Sequence, residues 1–379
     1  MLKKITSLTG EIVLESFEIA AKLHELKELS LKEYKSVEVQ KNYLKAKGFI
    51  TQTNQGGLET AFVSFYDKAS EDNFFHVKER KIIALLSEYD ALPELGHACG
   101  HNLIAAVSAG TFALLSCFKQ DFKHDLVLIG TPGEEHGGGK VTMVNNGYFD
   151  KVDGALMIHP SNKTRVSVRM LNIKDIFISF YGKDSHAAAS PEKGINALDA
   201  VVQLFNSVNA YRQQMPEGCM IHGIITDGGK APNIIPGFAQ AHFCIRGLED
   251  KDFSLLEQKF IACAEGAAQQ TGCRLEIEYG KMNYKSFNPS LEYAGIYQEA
   301  LKEMGLEESK CGKKEGMYSS DIGNVSHVCP SLHVELKLAE DIYWHSSGFA
   351  DAVMKYGKKY LQQAITLNAL SIYKILTQL

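Results

Sequence analysis

The chain has 379 residues, of which 45% are hydrophobic and 22% charged, and its formal net charge is −5. This composition is typical of a globular protein, and the length is sufficient for two domains. The acidic balance argues against nucleic acid as the main partner. We also expect no membrane partner, and no segment that reaches the roughly 18 uncharged apolar residues needed to span a bilayer.

Cysteine usage and the amino-terminal pattern predict a cytoplasmic protein. The eight cysteines are scattered along the chain, without the dense spacing of a small secreted scaffold. We therefore expect reduced thiols. The first residues lead into a charged amphipathic pattern that contains no apolar signal core.

Helices and strands alternate in the first half of the chain. Apolar residues at helical spacing predict helices at residues 11–31, 32–47, 103–117 and 139–147. Apolar runs predict strands at residues 60–66, 81–86, 126–130 and 155–158. Asn102 is placed to cap the third helix. This alternation indicates a mostly parallel sheet, whose functional loops follow the carboxyl ends of the strands.

The order of elements changes near Asn172. A strand, a helix, two strands, a helix and a strand are predicted at residues 174–181, 194–212, 220–226, 239–246, 251–270 and 274–279. This order is typical of a ferredoxin-like module. Because the chemistry of the first half resumes afterwards, we interpret residues 172–283 as a domain inserted between residues 1–171 and 284–379. Residues 291–304 and 346–377 are predicted to be helical, and residues 331–338 to form a strand.

Residue types that bind metals follow three of the predicted strands. Cys99 and His101 follow the strand at 81–86, Glu135 follows the strand at 126–130, and His159 ends the strand at 155–158. Thiolate and imidazole suit zinc, whereas carboxylate also admits manganese or cobalt. Each residue alone has an ordinary structural explanation, but together they predict a metal site.

The adjacent Glu134 and Glu135 suit the chemistry of such a site. One carboxylate can ligate the metal while its neighbour takes a proton from water, which a metal makes more acidic. The alternative is an ordinary charged loop. The glycines that follow, Gly137 to Gly139, instead indicate backbone packed close to other atoms.

The chain resembles peptidase family M20, the aminoacylase and carboxypeptidase group, and within it the amidohydrolase branch. The motifs that carry this resemblance cover nearly the whole chain and lie at residues 89–102, 130–140, 156–160, 182–198, 231–236, 319–326 and 344–346. The resemblance implies a mostly parallel, zinc-peptidase-like α/β catalytic domain with an inserted lid and dimerisation domain. Asn102, where many members of the branch have Asp, places the chain nearest to the aminoacylase-1-like dipeptidases. Glu88 stands where the wider family has a histidine, which is consistent with Cys99 replacing that histidine.

The resemblance also implies a role for each matching residue. It implies two divalent metal ions, zinc or manganese with cobalt or nickel as further candidates, held by Cys99, His101, Glu135, His159 and His345. It makes Glu134 the general base and Asp90 the acid that orients a ligating imidazole. His186 would polarise the scissile carbonyl, often in the site of a partner subunit, which implies a homodimer.

Two residues of the inserted domain are candidates to bind a substrate carboxylate, Asn233 and Arg246. An arginine guanidinium forms paired hydrogen bonds with carboxylates. Arg246 is equally well explained as a surface residue that forms a salt bridge. His97, His136, His222, His327 and His333 have no assigned role.

The predicted activity is hydrolysis of the amide bond of small N-acyl amino acids or dipeptides. One alternative is an N-acetyl or N-succinyl amino-acid deacylase of a biosynthetic pathway. A second makes Cys99 a nucleophile with His101 or His97 as its base. A third is a metal-binding scaffold without catalysis, which the presence of Glu134 beside Glu135 disfavours.

Overall fold

The computed structural model describes residues 1–76, 78–310 and 317–378. Clustering of contacts divides the chain into two compact units. The first unit contains Met1–Arg169, Phe287–Gly316 and Asp321–Leu379, and the second contains Met170–Ser286 and Met317–Ser320.

The first unit begins with ten elements that alternate as predicted, with additions. They are α1 (Leu2–Leu26), α2 (Tyr34–Ala46), β1 (Ile50–Gln55), β2 (Leu58–Phe65), α3 (Lys68–Phe75), β3 (Ile82–Ser87), α4 (His101–Leu115), β4 (Asp125–Gly130), α5 (Gly139–Asn145) and β5 (Gly154–Ser161). The sequence patterns missed β1 and α3. The sequence of β1, ITQTNQ, is polar, and none of its residues is buried.

The second unit forms the next eight elements of the chain. They are β6 (Asn172–Tyr181), β7 (Ser185–His186), α6 (Ala197–Tyr211), β8 (Met220–Asp227), β9 (Ile234–Ile235), β10 (Phe238–Gly247), α7 (Asp250–Thr271) and β11 (Arg274–Tyr284). Four of them form an antiparallel sheet in the order β11-β6-β10-β8. Both helices pack against this sheet around a separate hydrophobic core. This is the ferredoxin-like arrangement that the order of elements predicts.

The chain then completes the first unit with α8 (Leu291–Glu303), α9 (Ile322–Ser326), β12 (Ser331–Lys337) and α10 (Ser347–Gln378). Its six-stranded sheet has the order β1-β2-β4-β3-β5-β12. The four strands from β4 to β12 run parallel, and β1 and β2 form an antiparallel extension. The predicted α/β class with a mostly parallel central sheet is therefore confirmed.

Helix α4 departs from two expectations. The stretch His101–Asp121 is long and apolar enough to cross a membrane by length and composition, which corrects the expectation that no segment is. However, 89% of its tested window is buried inside the structure, as in the core helix of a folded domain. Asn102 does not cap the helix, because Gly100 is the N-cap and the Asn102 amide donates to the Ala20 carbonyl at 3.0 Å.

Candidate metal centre

The candidate site lies where neighbouring parallel strands of the first unit end. Strands β4, β3 and β5 are adjacent, so the residues that follow or end them meet at one edge of the sheet. Glu134 and Glu135 come after β4, Asp90 comes after β3, and His159 lies near the end of β5. His101 is the first residue of α4, which starts at this edge.

A glycine allows the loop before α4 to approach β5 closely. Gly100 has a φ of 83°, and a Cβ atom built there would lie 2.5 Å from the Pro160 Cγ atom. Neither the backbone conformation nor the space admits a larger residue without strain. The glycine between Cys99 and His101 therefore lets both side chains face the end of β5.

The structure brings all five predicted metal ligands into two groups that share Cys99. One group is Cys99, His101 and His159, and the other is Cys99, Glu135 and His345. Within each group the ligand atoms lie within 4.8 Å of one another. A third group contains His101, Glu134 and Glu135.

The spacing of these atoms is that of ligands around a metal rather than of hydrogen-bonded partners. Cys99 Sγ lies 3.6 Å from His159 Nε2, and His345 Nε2 lies 3.3 Å from Glu135 Oε2. Donors bound tetrahedrally to one zinc ion at ordinary bond lengths lie about 3.3–3.8 Å apart.

Two buried ligand atoms have no other partner. Among the described residues, His101 Nε2 and Glu135 Oε1 are buried and have no hydrogen-bond partner. Buried polar atoms are almost always satisfied in native proteins. The thiol, imidazole and carboxylate donors, with these two orphaned atoms, therefore fit divalent metal ions.

Asp90 holds His101 in the orientation that ligation requires. His101 Nδ1 donates to Asp90 Oδ1 at 2.8 Å, which leaves Nε2 free to face the other ligands. The second carboxylate oxygen accepts from Ser30 Oγ at 2.7 Å and from the Glu135 backbone N–H at 3.0 Å. Burial raises the pKa of Asp90, but the His101 charge and these hydrogen bonds outweigh burial and hold the pKa well below its usual range.

Glu134 has the environment of a general base. Its side chain is 12% exposed, and its Oε2 atom lies 3.9 Å from His101 Nε2. Burial raises the pKa of Glu134 well above its ordinary range, and the carboxylates of Glu135 and Glu88 raise it further. A carboxylate with a raised pKa is a stronger proton acceptor, as a general base at neutral pH requires.

Cys99 does not have the environment of an activated nucleophile. Burial and the Glu135 carboxylate raise the pKa of the Cys99 thiol well above its ordinary value. Nucleophilic cysteines instead have lowered pKa values in electropositive surroundings. The seven cysteines within the described residues form no disulfide, and Cys311 lies outside those residues.

A buried ionic cluster beside the site was not predicted. Lys140 Nζ is buried between Glu88 Oε1 at 2.6 Å and Asp321 Oδ1 at 2.7 Å. The other oxygen of Glu88 lies 3.5 Å from His101 Nε2. Sequence reasoning treated Glu88 only as a departure from the family pattern. The signal available was the position of Glu88 directly after a buried strand.

The remaining predicted site residues lie in the second unit. His186 is exposed, and its Nδ1 atom accepts hydrogen bonds from the backbone N–H groups of Ala188 and Ala189. The proton therefore resides on Nε2, which makes that atom a hydrogen-bond donor. The Ala187 N–H donates to the Asn233 carbonyl at 3.0 Å, so His186 and Asn233 lie on neighbouring segments.

Arg246 lies apart from these two residues within the second unit. It occupies the carboxyl end of β10, where a guanidinium nitrogen lies 3.5 Å from Ser319 Oγ. The segment that carries His186 meets the chain at the other end of β10, where the Gly182 N–H donates to the Gly237 carbonyl. The structure thus brings His186 and Asn233 together, and Arg246 remains a separate predicted contact.

Comparisons with known proteins identify relatives of the chain. Residues 84–367 match the profile of Peptidase family M20/M25/M40. The Xaa-Arg dipeptidase of Mus musculus is 37% identical over 278 residues, which cover 71% of this chain and 64% of that protein. One of the chains of the p-aminobenzoyl-glutamate hydrolase of Escherichia coli (strain K12) is 31% identical over 77% of this chain and 63% of its own length. The chain thus matches less than two thirds of the length of these curated relatives.

A solved structure supports the fold. A dinuclear metal-binding peptidase of the M20 family from Bacillus subtilis superposes with a TM-score of 0.76, covering 97% of this chain and 99% of its own. Its sequence identity is 18%. The family match and the mouse relative each cover more than two thirds of the chain, so the predicted resemblance is confirmed and the chain belongs to Peptidase family M20/M25/M40.

Proposed function

We propose that the protein is a metal-dependent amidohydrolase that cleaves the amide bond of small N-acyl amino acids or dipeptides. The observation that carries the proposal is the position of Glu134. This carboxylate with a raised pKa lies beside two groups of metal ligands that share Cys99. A metal-binding scaffold has no need of such a group.

The donor set suits two divalent ions, with zinc or manganese as the first candidates and cobalt or nickel as others. Cys99, His101 and His159 would hold one ion, and Cys99, Glu135 and His345 the other. The chemistry that such an ion supplies is a bound water whose pKa is lowered to about 7.

The protein's own groups supply the proton transfers and the electrostatic support. Glu134 takes the proton of the attacking water and delivers it to the leaving amine. Asp90 keeps the His101 imidazole in one tautomer and orientation. His186 donates from Nε2 to the developing oxyanion, and Asn233 and Arg246 bind the substrate carboxylate.

The test is metal analysis of the purified protein followed by a hydrolysis panel. The panel contains dipeptides, including those with a carboxy-terminal arginine, and N-acetyl and N-succinyl amino acids. We expect hydrolysis that a chelator abolishes and added metal restores. Activity that survives complete metal removal would support the thiol nucleophile instead. A metal-loaded protein that hydrolyses no member of the panel would contradict the proposal.

The same panel separates the two amidohydrolase alternatives. Faster hydrolysis of dipeptides favours a dipeptidase. Faster hydrolysis of N-acetyl or N-succinyl amino acids favours a deacylase of a biosynthetic pathway. The names of the relatives include a dipeptidase and an aminobenzoyl-glutamate hydrolase, so both arms are needed.

We further propose a cytoplasmic homodimer formed through the second unit. Strand β8 lies at the edge of its sheet, and its Ile224 and Ile225 side chains are 63% and 46% exposed. An exposed apolar edge strand is a template for pairing with another chain. Light scattering should show a dimer that Ile224→Lys dissociates, whereas a monomeric wild-type protein would exclude the assembly.

A complementation assay tests whether His186 acts across that dimer. His186→Ala and Glu134→Gln would each be inactive alone. If His186 serves the partner's site, mixed dimers contain one site with both Glu134 and His186, and activity returns on mixing. If His186 serves its own chain, mixing restores nothing.

A further inference from the structure

Trp344 is the single tryptophan of the chain and directly precedes the predicted ligand His345. Its indole Nε1–H donates to the Pro160 carbonyl at 2.9 Å. The same carbonyl accepts a hydrogen bond from His159 Nδ1 at 2.8 Å. One carbonyl oxygen thus joins the tryptophan to a histidine of the other ligand group.

The indole ring also packs against that histidine. The ring centroids of Trp344 and His159 lie 5.5 Å apart, and the rings are nearly perpendicular, with an interplanar angle of 81°. Because a carbonyl can only accept, His159 Nδ1 carries the proton. Its Nε2 atom therefore remains available toward Cys99, so the Pro160 carbonyl and the indole ring together set the orientation of the imidazole.

His345 depends on its surroundings because its backbone is strained. Its φ is 61°, in the left-handed region that a residue with a Cβ atom rarely adopts. The His345 N–H donates to the Ala98 carbonyl at 2.9 Å, next to Cys99. The adjacent Trp344 supplies a second anchor through Pro160. These two hydrogen bonds fix the segment that carries His345.

We propose that Trp344 is a positioning residue of the metal centre, coupling His345 of one ligand group to His159 of the other through the Pro160 carbonyl. The inference rests on the proposed function, because it concerns the same metal site. It differs from a packing role, since it requires the indole N–H as well as the ring. Loss of this donor leaves His345 with one anchor and removes one of the two donors to the Pro160 carbonyl.

The first test compares Trp344→Phe with the wild-type protein by calorimetric titration of Zn²⁺ into the metal-free full-length chain. The variant keeps an aromatic ring and loses the N–H donor. We expect at least one zinc equivalent to bind about 10- to 100-fold more weakly, as for other residues that orient metal ligands.

Tyr66→Phe is the matched control, because it also removes one side-chain hydrogen bond to a backbone carbonyl, from Tyr66 Oη to Phe112 at 2.8 Å in the same unit. We expect this variant to lose some thermal stability and to keep its zinc affinity. A Trp344→Phe variant with lowered Tm and unchanged zinc affinity would reduce Trp344 to a packing residue and overturn the proposal.

The second test needs no variant. In a protein labelled with ¹⁵N-tryptophan, the single indole N–H gives one resonance. We expect this resonance to shift when Zn²⁺ is added, because its acceptor also orients His159. An indole resonance that stays unchanged at zinc saturation would overturn the proposal even if Trp344→Phe does not fold.

These outcomes separate the two proposals. A wild-type protein that binds zinc but hydrolyses no substrate contradicts the proposed activity alone. An active wild-type protein whose zinc affinity is unchanged in Trp344→Phe contradicts the role of Trp344 alone. A wild-type protein that binds no zinc, manganese, cobalt or nickel contradicts both.

Discussion

Glu134 and Glu135 are neighbours in the sequence but differ in their surroundings. The Glu135 N–H donates to Asp90, and its carboxylate faces His345 and His101. Glu134 instead lies near the carboxylates of Glu88 and Asp321, which raise its pKa after the larger effect of burial. This difference assigns ligation to Glu135 and proton transfer to Glu134.

Glu134→Gln tests this assignment. The amide has nearly the shape of the carboxylate and cannot accept the proton of water. We expect metal content to remain that of the wild type while kcat falls about 100- to 10,000-fold, the usual contribution of general base catalysis. Steady-state kinetics with metal analysis checks both quantities. A rate near that of the wild type would show that another group is the base.

Lys140 gives the clearest prediction about stability at the residue scale. Its ammonium group is fully buried between two buried carboxylates, Glu88 and Asp321. Lys140→Met would leave both carboxylates without their counter-charge, and breaking a buried pair in this way costs about 3–5 kcal/mol. We expect a loss of this size in the free energy of unfolding, measured by urea denaturation of the metal-free protein.

The double variant Lys140→Met with Asp321→Asn supplies the control for that measurement. It removes one of the uncompensated charges, so it should be more stable than Lys140→Met alone. If the double variant loses as much as the sum of the two single variants, the two residues are not coupled and the interpretation is wrong.

At the scale of elements, the connection between α1 and α2 braces the site. Ser30 in this connection donates to Asp90, and its hydroxyl accepts from the His136 N–H at 3.2 Å. Leu31 packs over the loop that follows β4, because a Cβ atom built at Gly133 would lie 2.7 Å from Leu31 Cδ2. The turn is closed by Glu33, whose carboxylate accepts from the Leu31 N–H and from Thr60 Oγ1.

Glu33 makes this connection sensitive to pH. Burial and the nearby Asp90 carboxylate raise the pKa of Glu33 from 4.5 to about 7. Between these values the native state holds a proton that the unfolded state has lost. Stability from this group is therefore present below pH 4.5 and is lost as the pH rises toward 7, to a total of about 3 kcal/mol.

Glu33→Gln should remove that dependence. Relative to the wild type, the metal-free variant should gain stability from pH 4.5 to pH 8, by up to about 3 kcal/mol. Urea denaturation at several pH values checks this, with Glu25→Gln on the exposed surface of α1 as the control. A constant difference between Glu33→Gln and the wild type across the range would exclude a titrating Glu33.

At the scale of the whole molecule, metal binding should contribute to the stability of the fold. The ligands come from the start of α4, the loop after β4, the end of β5 and the segment before α10. A metal held by all of them binds the folded state and not the unfolded chain. At a free metal concentration 100 times Kd, linkage predicts a gain of about 2.7 kcal/mol.

Removal of metal should therefore lower the thermal midpoint. For a protein of this size we expect a drop in Tm of roughly 5 to 10 °C on chelation, measured by calorimetry and reversed by Zn²⁺ or Mn²⁺. His159→Ala removes one ligand and should make the drop on chelation smaller. A Tm that is the same with and without metal would show that the ligand groups do not hold an ion in the folded state.

Strongly periodic segments were the most predictable part of the molecule. Buried apolar strands such as β3 and β4, and the amphipathic helices of the second unit, have patterns that only one kind of element satisfies. Elements with weak patterns were missed, as β1 shows, because its strand conformation depends on pairing with β2 rather than on its own composition. Asn102 was placed wrongly because local propensity does not reveal that its amide is buried against α1.

The sequence by itself determined the α/β class, the order of the two kinds of module and the identity of the metal-type residues, since these follow from local periodicity and motif spacing. Only the tertiary structure decided that Cys99 belongs to both ligand groups, that Lys140 is buried between Glu88 and Asp321, and that Trp344 shares the Pro160 carbonyl with His159. These contacts join residues as far apart as 184 positions in the chain. No local pattern encodes them, because they arise only when the strands pair and their carboxyl ends meet.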